Sequence, residues 1–283
     1  MKALAAEETA TLEAAALRIR QDILRMVRAG GAGHLGGAMS CADIMAAHYF
    51  SILRIDPAAP AWPDRDRMIL SAGHKCMALY AALRQRGFFE ESILDTYGSL
   101  KSRLPGHPVM QKLPGVEANT GALGHGLSIA GGMAMGLKLK KSPAKVYVVM
   151  GDGELAEGSN WEAAAAASHH QLDNLLVFVD CNGLQLSGKT EEIMNYGPLA
   201  DKWAAFGWSV RSIDGHDFTQ IVGNAREAPF VAGKPSVVIA HTVKAKGVSF
   251  AEGKVDYHYW KPKGDEMSRA VAELASTVVE GYK

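Results

Sequence analysis

VYVVMGDGELAEGSNWEAAAAASHHQLDNLLVFVDCNGLQL, residues Val146 to Leu186, is the stretch whose reading decides the fold. An apolar, β-branched run, Val146 to Met150, stops at Gly151-Asp152-Gly153. Helix formers follow from Leu155 to His169, and a second apolar run, Leu175 to Asp180, stops at Asn182-Gly183. Strand, turn, helix, strand is a βαβ unit, whose parallel strands place both loops at one carboxyl edge. Open α/β sheets bind ligands at that edge. Asp152 and Asn182, about thirty positions apart, are therefore expected side by side. A carboxylate, an amide oxygen and a nearby backbone carbonyl form a hard oxygen set suited to Mg²⁺ or Ca²⁺. The flanking glycines allow a phosphate to approach the chain, and the helix that follows is expected to point its free N–H groups at it. Gly-Asp-Gly alone is a common turn; the βαβ setting and the spaced Asn make it a candidate site.

Working outward, the pattern of alternating strand and helix continues. Leu12, Ala16, Ile19, Ile23 and Met26 recur at helical spacing, which predicts an amphipathic helix over about 9–29. Gly31, Gly33 and Gly36 satisfy GxGxxG, but a helix precedes them where a dinucleotide site needs a strand, so that site is rejected. Ser40 and Asp43 resemble a capping box for a helix from Cys41 to Leu53. Arg67 to Leu70 reads as a short strand leading to Ser71-Ala72-Gly73-His74 and a helix to about Gln85. The loop Gly115 to Gly126 is rich in glycine but lacks the Lys-Ser/Thr of a P-loop, and a helix from Leu127 to about Lys140 follows. Beyond the central unit come a polar loop, Ser187 to Asn195, and a helix from Leu199 to Phe206. A strand from Trp208 to Ile213, a helix from Phe218 to Ala225 and a parallel strand from Ser236 to Ala240 complete the series. The expectation is one α/β domain over residues 1–283, a doubly wound, mainly parallel sheet with helices on both faces.

Composition narrows the function. Lys plus Arg and Asp plus Glu number 30 each, so no net charge argues for nucleic acid or an anionic membrane. Three cysteines fit neither a disulfide framework nor a metal spacing and suggest a reducing compartment. The N-terminus carries glutamates where a signal peptide needs an apolar core, and no segment reads as a bilayer span. A cytoplasmic location is the expectation.

GDG followed by Asn182 resembles the thiamine diphosphate motif, and the flanking segments resemble transketolase: GHLGGAMSCADIMAAHYF around His34, Ser-Ala-Gly-His at His74, Gly-His-Pro at His107, and the loop at Gly121. The resemblance runs from about His34 to Trp260. It implies a thiamine diphosphate-binding fold with Mg²⁺ held by Asp152, Asn182 and the Leu184 carbonyl. It implies cofactor contacts from His74, Gly121, Leu123, Gly151, Gly153, Leu186 and His258, and substrate-facing, catalytic roles for His34, His107 and His258. Leu35 stands where the family has proline and His125 where it has glutamine; the neighbours of His258 also depart from the usual His-Gly.

The resemblance covers the first half of an ordinary transketolase. In the family the second half supplies a glutamate to the cofactor's aminopyrimidine and most sugar-phosphate contacts. A C-terminal transketolase subunit carrying that glutamate and the pyrimidine pocket is therefore expected as partner, in a heterotetramer with Glu157 at the interface. The implied reaction moves a two-carbon ketol unit from a ketose or ketose phosphate to an aldose. The alternatives are an α-type subunit of a 2-oxoacid dehydrogenase, which shares GDG and Asn but not the glycine–histidine segments, and a non-catalytic module that kept the fold.

Overall fold

Apolar runs too short for helices and rich in Val, Ile and Leu become the strands of a buried parallel sheet. The structure, a computed structural model, describes residues 3–277 and 279. In chain order it has α1 (Ala6–Gly30), α2 (Leu35–Ser40), α3 (Ala42–Ala47, running on as a wider π-helical turn, His48–Ile52), β1 (Arg67–Leu70), α4 (Cys76–Gln85), α5 (Gly126–Leu139), β2 (Val146–Gly151) and α6 (Gly158–His169). There follow β3 (Leu175–Cys181), β4 (Leu184–Gln185), β5 (Gly188–Lys189), α7 (Thr190–Ile193), α8 (Leu199–Ala205), β6 (Ser209–Asp214), α9 (Phe218–Glu227), β7 (Ser236–His241) and α10 (Glu266–Ser276).

The main sheet has the order β1-β2-β3-β7-β6, and every pairing in it is parallel. Side chains alternate across the pleat. Tyr147, Val149, Leu176, Phe178, Val238 and Ala240 enter a core shared with α1, α3, α4 and α9. Val148, Met150, Val177, Val179 and Val237 enter a second core with α5, α6 and α8. This is the doubly wound arrangement, and it explains why the central strands read as continuous apolar runs. Leu12, Ala16, Ile19, Ile23 and Met26 of α1 are all buried. Each such Leu or Ile contributes about 1.5–3 kcal/mol through burial. Gly31, at φ +74°, ends the helix in the left-handed turn that glycine adopts without strain.

Two local expectations are corrected. Ser40 and Asp43 form no capping box: Ser40 lies at the end of α2 and its hydroxyl donates to Asp180 Oδ2 at 2.6 Å, while Asp43 receives Arg20 on both oxygens, at 2.9 and 2.6 Å. Distant partners take the place of the capping N–H for both side chains, while the Ser40 hydroxyl also reaches back to the Gly37 carbonyl at 3.0 Å. The segment after Gly153 is also not the start of the α-helix. Gly153–Ala156 is a single 3-10 turn, and α6 begins only at Gly158. The turn is closed by carboxylates: Asp152 Oδ1 accepts from Gly153 N at 2.9 Å, and Glu154 Oε2 accepts from Gly151 N at 3.1 Å. The polar loop after Ser187 contains β5, paired antiparallel to β4, and the short α7. Helix α10, which the sequence reading left out, packs against α1. No helix among the described residues is long and apolar enough to cross a membrane.

Candidate active site

The parallel register brings four strand ends to one edge. Gly151 lies opposite Asp180, and Cys181 opposite His241, so the loops after β2, β3 and β7 start side by side. The loop after β1, with His74, joins them. Gly33 pairs with Trp260 through two backbone hydrogen bonds, 3.0 and 2.8 Å, which fastens the segment carrying His258 beside His34. The result is one cleft of about 360 Å³. Its lining includes His34, His74, His107, Gly121, Leu123, Gly151, Asp152, Gly153, Glu157, Asn182, Leu184, Leu186 and His258, the whole set named from sequence. Of that set, Leu186, Glu157 and His107 are exposed. His125 lies outside the lining, at the start of α5, with Nδ1 against the carbonyls of its own loop at 3.1 and 3.2 Å.

His34 is the centre of an imidazole cluster. Its ring lies 5.4 Å from His74, 6.0 Å from His107 and 5.6 Å from His258, and His74 stacks on His258 at 5.3 Å. Burial, then neighbouring positive groups, pushes the pKa of His34 down to about 4, of His258 to about 3 and of His74 to about 2. These three rings are therefore neutral near pH 7. Lys244 Nζ donates to His258 Nδ1 at 3.0 Å, which puts the His258 ring proton on Nε2.

The oxygen set lines the same cleft. Asp152 is 8% exposed, and burial raises its pKa to about 6 despite the nearby Lys75 charge. Its Oδ2 accepts from Gly183 N at 2.7 Å, tying the loop of β2 to the loop of β3. Asn182 Oδ1 accepts from Leu184 N at 3.1 Å. The Leu184 carbonyl accepts from Lys244 Nζ at 2.9 Å, so a cation already faces one of the oxygens named for the metal. Burial pulls the Lys244 pKa down to about 8.

Residues that the sequence reading passed over hold this frame together. Lys75 Nζ meets Asp180 Oδ2 at 2.5 Å, and Asp180 also accepts from Ser40 and Thr242. Lys75 reaches the edge from the turn after β1 and Asp180 from the end of β3, a coincidence with no local signature. The glycines offer the clearest clue. A Cβ at Gly36 would lie 2.9 Å from Lys244 Cε, and one at Gly37 would lie 3.0 Å from Lys75 Cε. The Gly36-Gly37 pair lets both lysine stems cross the backbone of α2.

The family model for the thiamine diphosphate-binding domain of transketolase matches residues 12–276. The chain belongs to that family. An apulose-4-phosphate transketolase subunit from Phocaeicola vulgatus is 42% identical over 95% of this chain and 95% of its own length. A 6-deoxy-6-sulfo-D-fructose transketolase subunit from a Clostridium species is 44% identical, over 95% of this chain and 98% of its own. Among solved structures, the transketolase of Campylobacter jejuni superposes with a TM-score of 0.87 at 31% identity, covering 94% of this chain and 43% of that one. That of Leishmania mexicana gives 0.87 at 29% identity, covering 93% and 41%. This chain thus spans about two-fifths of the length of the solved transketolases it matches. The transketolase family resemblance seen in the sequence and the doubly wound sheet agree with these findings, and the α-type 2-oxoacid dehydrogenase reading is set aside.

Proposed function

We propose that this chain is the diphosphate-holding subunit of a two-chain, thiamine diphosphate-dependent transketolase. In this reading it transfers a two-carbon ketol unit from a ketose or ketose phosphate to an aldose, and acts as a single domain. The observation that carries the proposal is the single cleft lined by Asp152, Asn182 and Leu184 together with the clustered imidazoles of His34, His74 and His258. Relatives matched almost end to end are named transketolase subunits, which supports a partner chain.

The donor set fits the group it would hold. Among the described residues no three His, Cys, Asp or Glu side chains are placed to share a metal. One carboxylate, one amide and one carbonyl leave coordination positions for diphosphate oxygens and water, as Mg²⁺ favours; Ca²⁺ accepts the same oxygens. Asp152, Asn182 and the Leu184 carbonyl would hold the metal. His74, Gly121, Leu123, Gly153 and Leu186 would line the cofactor, and the Lys244 ammonium would face its negative charge. Bound thiamine diphosphate supplies the electron sink for breaking a carbon–carbon bond beside a carbonyl. His34, His107 and His258 would hold substrate hydroxyls and pass protons. Exposed Glu157, at the rim, is the proposed contact with a C-terminal subunit that brings the catalytic glutamate and pyrimidine pocket. The proposed assembly is a heterotetramer in the cytoplasm.

The test is ketol transfer by the purified chain with Mg²⁺ and thiamine diphosphate saturating, before and after adding the C-terminal subunit. Activity is expected only with both chains. Full turnover by this chain alone would reject the two-chain reading, and no turnover by the pair across ketose donors would reject transketolase activity.

A further inference from the structure

We propose that Glu154 is a positioning residue of the cleft, whose buried carboxylate locks the loops after β1, before α5 and after β2 into one cofactor-competent arrangement. The inference rests on the reading of this cleft as the thiamine diphosphate site. It concerns a residue to which neither the motif nor the proposed chemistry assigns a part.

Glu154 is 2% exposed and sits in the 3-10 turn two residues past Asp152. Its Oε1 accepts from Ser71 Oγ at 2.5 Å and from Gly124 N at 3.0 Å. Oε2 accepts from Gly151 N at 3.1 Å. Ser71 lies in the loop after β1 and Gly124 in the loop before α5, while Gly151 is the last residue of β2. Ser71 is three residues before His74, Gly124 follows Leu123, and Gly151 precedes Asp152. All three donors are uncharged. A carboxylate taken out of water without an ion-pair partner needs several good donors to remain tolerable. Burial raises its pKa, against the pull of Ser71, Gly124, Gly151 and the Lys75 charge.

The loop before α5 shows why such a tie is needed. Gly121 has φ +143° and Gly124 φ +83°, conformations open chiefly to glycine, so this loop is intrinsically free in the unfolded chain. Gly124 is gripped on both sides: its N–H by Glu154 and its carbonyl by the Ser159 hydroxyl at 2.9 Å. A Cβ at Gly73 would lie 2.6 Å from the Thr120 carbonyl, so the first two loops touch backbone to backbone. One carboxylate at their junction sets their spacing.

Glutamine is the same shape but turns one acceptor oxygen into a donor. Placed at Oε2 the amide faces the Gly151 N–H; placed at Oε1 it faces the Gly124 N–H. The first opposes two donors within the turn that carries Asp152; the second releases the loop before α5. Glu154→Gln should therefore lower the population of the competent arrangement and raise the cofactor Kd by the same factor. The expected rise is about 10- to 100-fold, the range for one hydrogen bond to a charged group.

The experiment is calorimetric titration of thiamine diphosphate with Mg²⁺ into the two-chain complex, alongside kcat at saturating cofactor and thermal unfolding. Glu154→Gln should raise Kd and the cofactor KM while leaving kcat within about twofold. Glu154→Asp, which keeps both oxygens, should recover part of the affinity. Ser71→Ala should weaken binding less, because it removes one of the three contacts, and combined with Glu154→Gln it should cost less than the sum of the two, because that contact is shared. If Glu154→Gln does not fold, Ser71→Ala carries the test, and unchanged Kd there overturns the proposal. Wild-type affinity in folded Glu154→Gln, or a lowered unfolding temperature without a change in Kd, also overturns it. Failure of the wild-type complex to bind the cofactor would instead reject the function proposed for the cleft.

Discussion

Asp180→Asn is the most informative single perturbation of the frame beneath the cleft. Asp180 has no exposed surface, and Lys75, at 2%, has Nζ 2.5 Å from its Oδ2. The substitution keeps the shape and the hydroxyl contacts of Ser40 and Thr242 can re-form, but it strips the counter-charge from a buried ammonium. Breaking a buried pair by removing one partner costs about 3–5 kcal/mol. At roughly 2–4 °C of Tm per kcal/mol for chains of this order of size, the midpoint should fall by roughly 6–20 °C. Thermal and urea unfolding of the cofactor-free chain, followed by far-ultraviolet circular dichroism, measure this directly. Replacing both partners with apolar residues, Lys75→Met with Asp180→Leu, should be less damaging than Asp180→Asn alone, because no charge is then left stranded. The pair also fixes a pH window. The Asp180 carboxyl is held below its ordinary range by Lys75 and its hydrogen bonds, overcoming burial, so its stabilisation is present above the unfolded pKa and lost as pH falls through the folded value. The Lys75 pKa is raised by Asp180 against burial, so its contribution is present below the unfolded value and lost as pH rises through the folded one. The stabilisation should therefore be flat between about pH 4 and pH 10. A Tm loss under about 2 °C in Asp180→Asn would refute the account of the pair as a stabilising buried contact.

Two further predictions concern the proposed chemistry. Asp152→Asn should weaken Mg²⁺ and thiamine diphosphate together, since one carboxylate serves both; in the wild type, with Asp152 near 6, affinity should fall as pH drops below about 6 because the metal needs the ionised form. Unchanged affinity by isothermal titration would remove Asp152 from the site. His34→Ala and His107→Ala should each lower kcat by ~10²–10⁴-fold while sparing cofactor affinity, whereas His74→Ala should raise the cofactor Kd. Wild-type turnover in the first two would reject their substrate-facing role.

Short-range pattern carried much of this protein. The apolar runs at Val146 and Leu175, each closed by a glycine turn, are enough to specify parallel strands joined by a helix, because that pattern has few other ways to bury itself. The order of the strands along the chain then puts Asp152 beside Asn182, and the glycines before His34, His74 and His107 mark loops that bend toward the same edge. What only the tertiary structure decided is how that edge is held. Lys75 with Asp180, Glu154 with Ser71 and Gly124, and Asp43 with Arg20 and His216 are side-chain contacts between segments far apart in sequence. Ser40 and Asp43 show why such contacts escape a local reading: their spacing suits a helix cap, yet a buried carboxylate and a buried guanidinium offer them stronger partners than the nearest backbone N–H. Periodicity reports which face of an element is apolar. It does not report which polar groups the packed elements will bring within 3 Å of one another, because that depends on where distant stretches of chain come to rest.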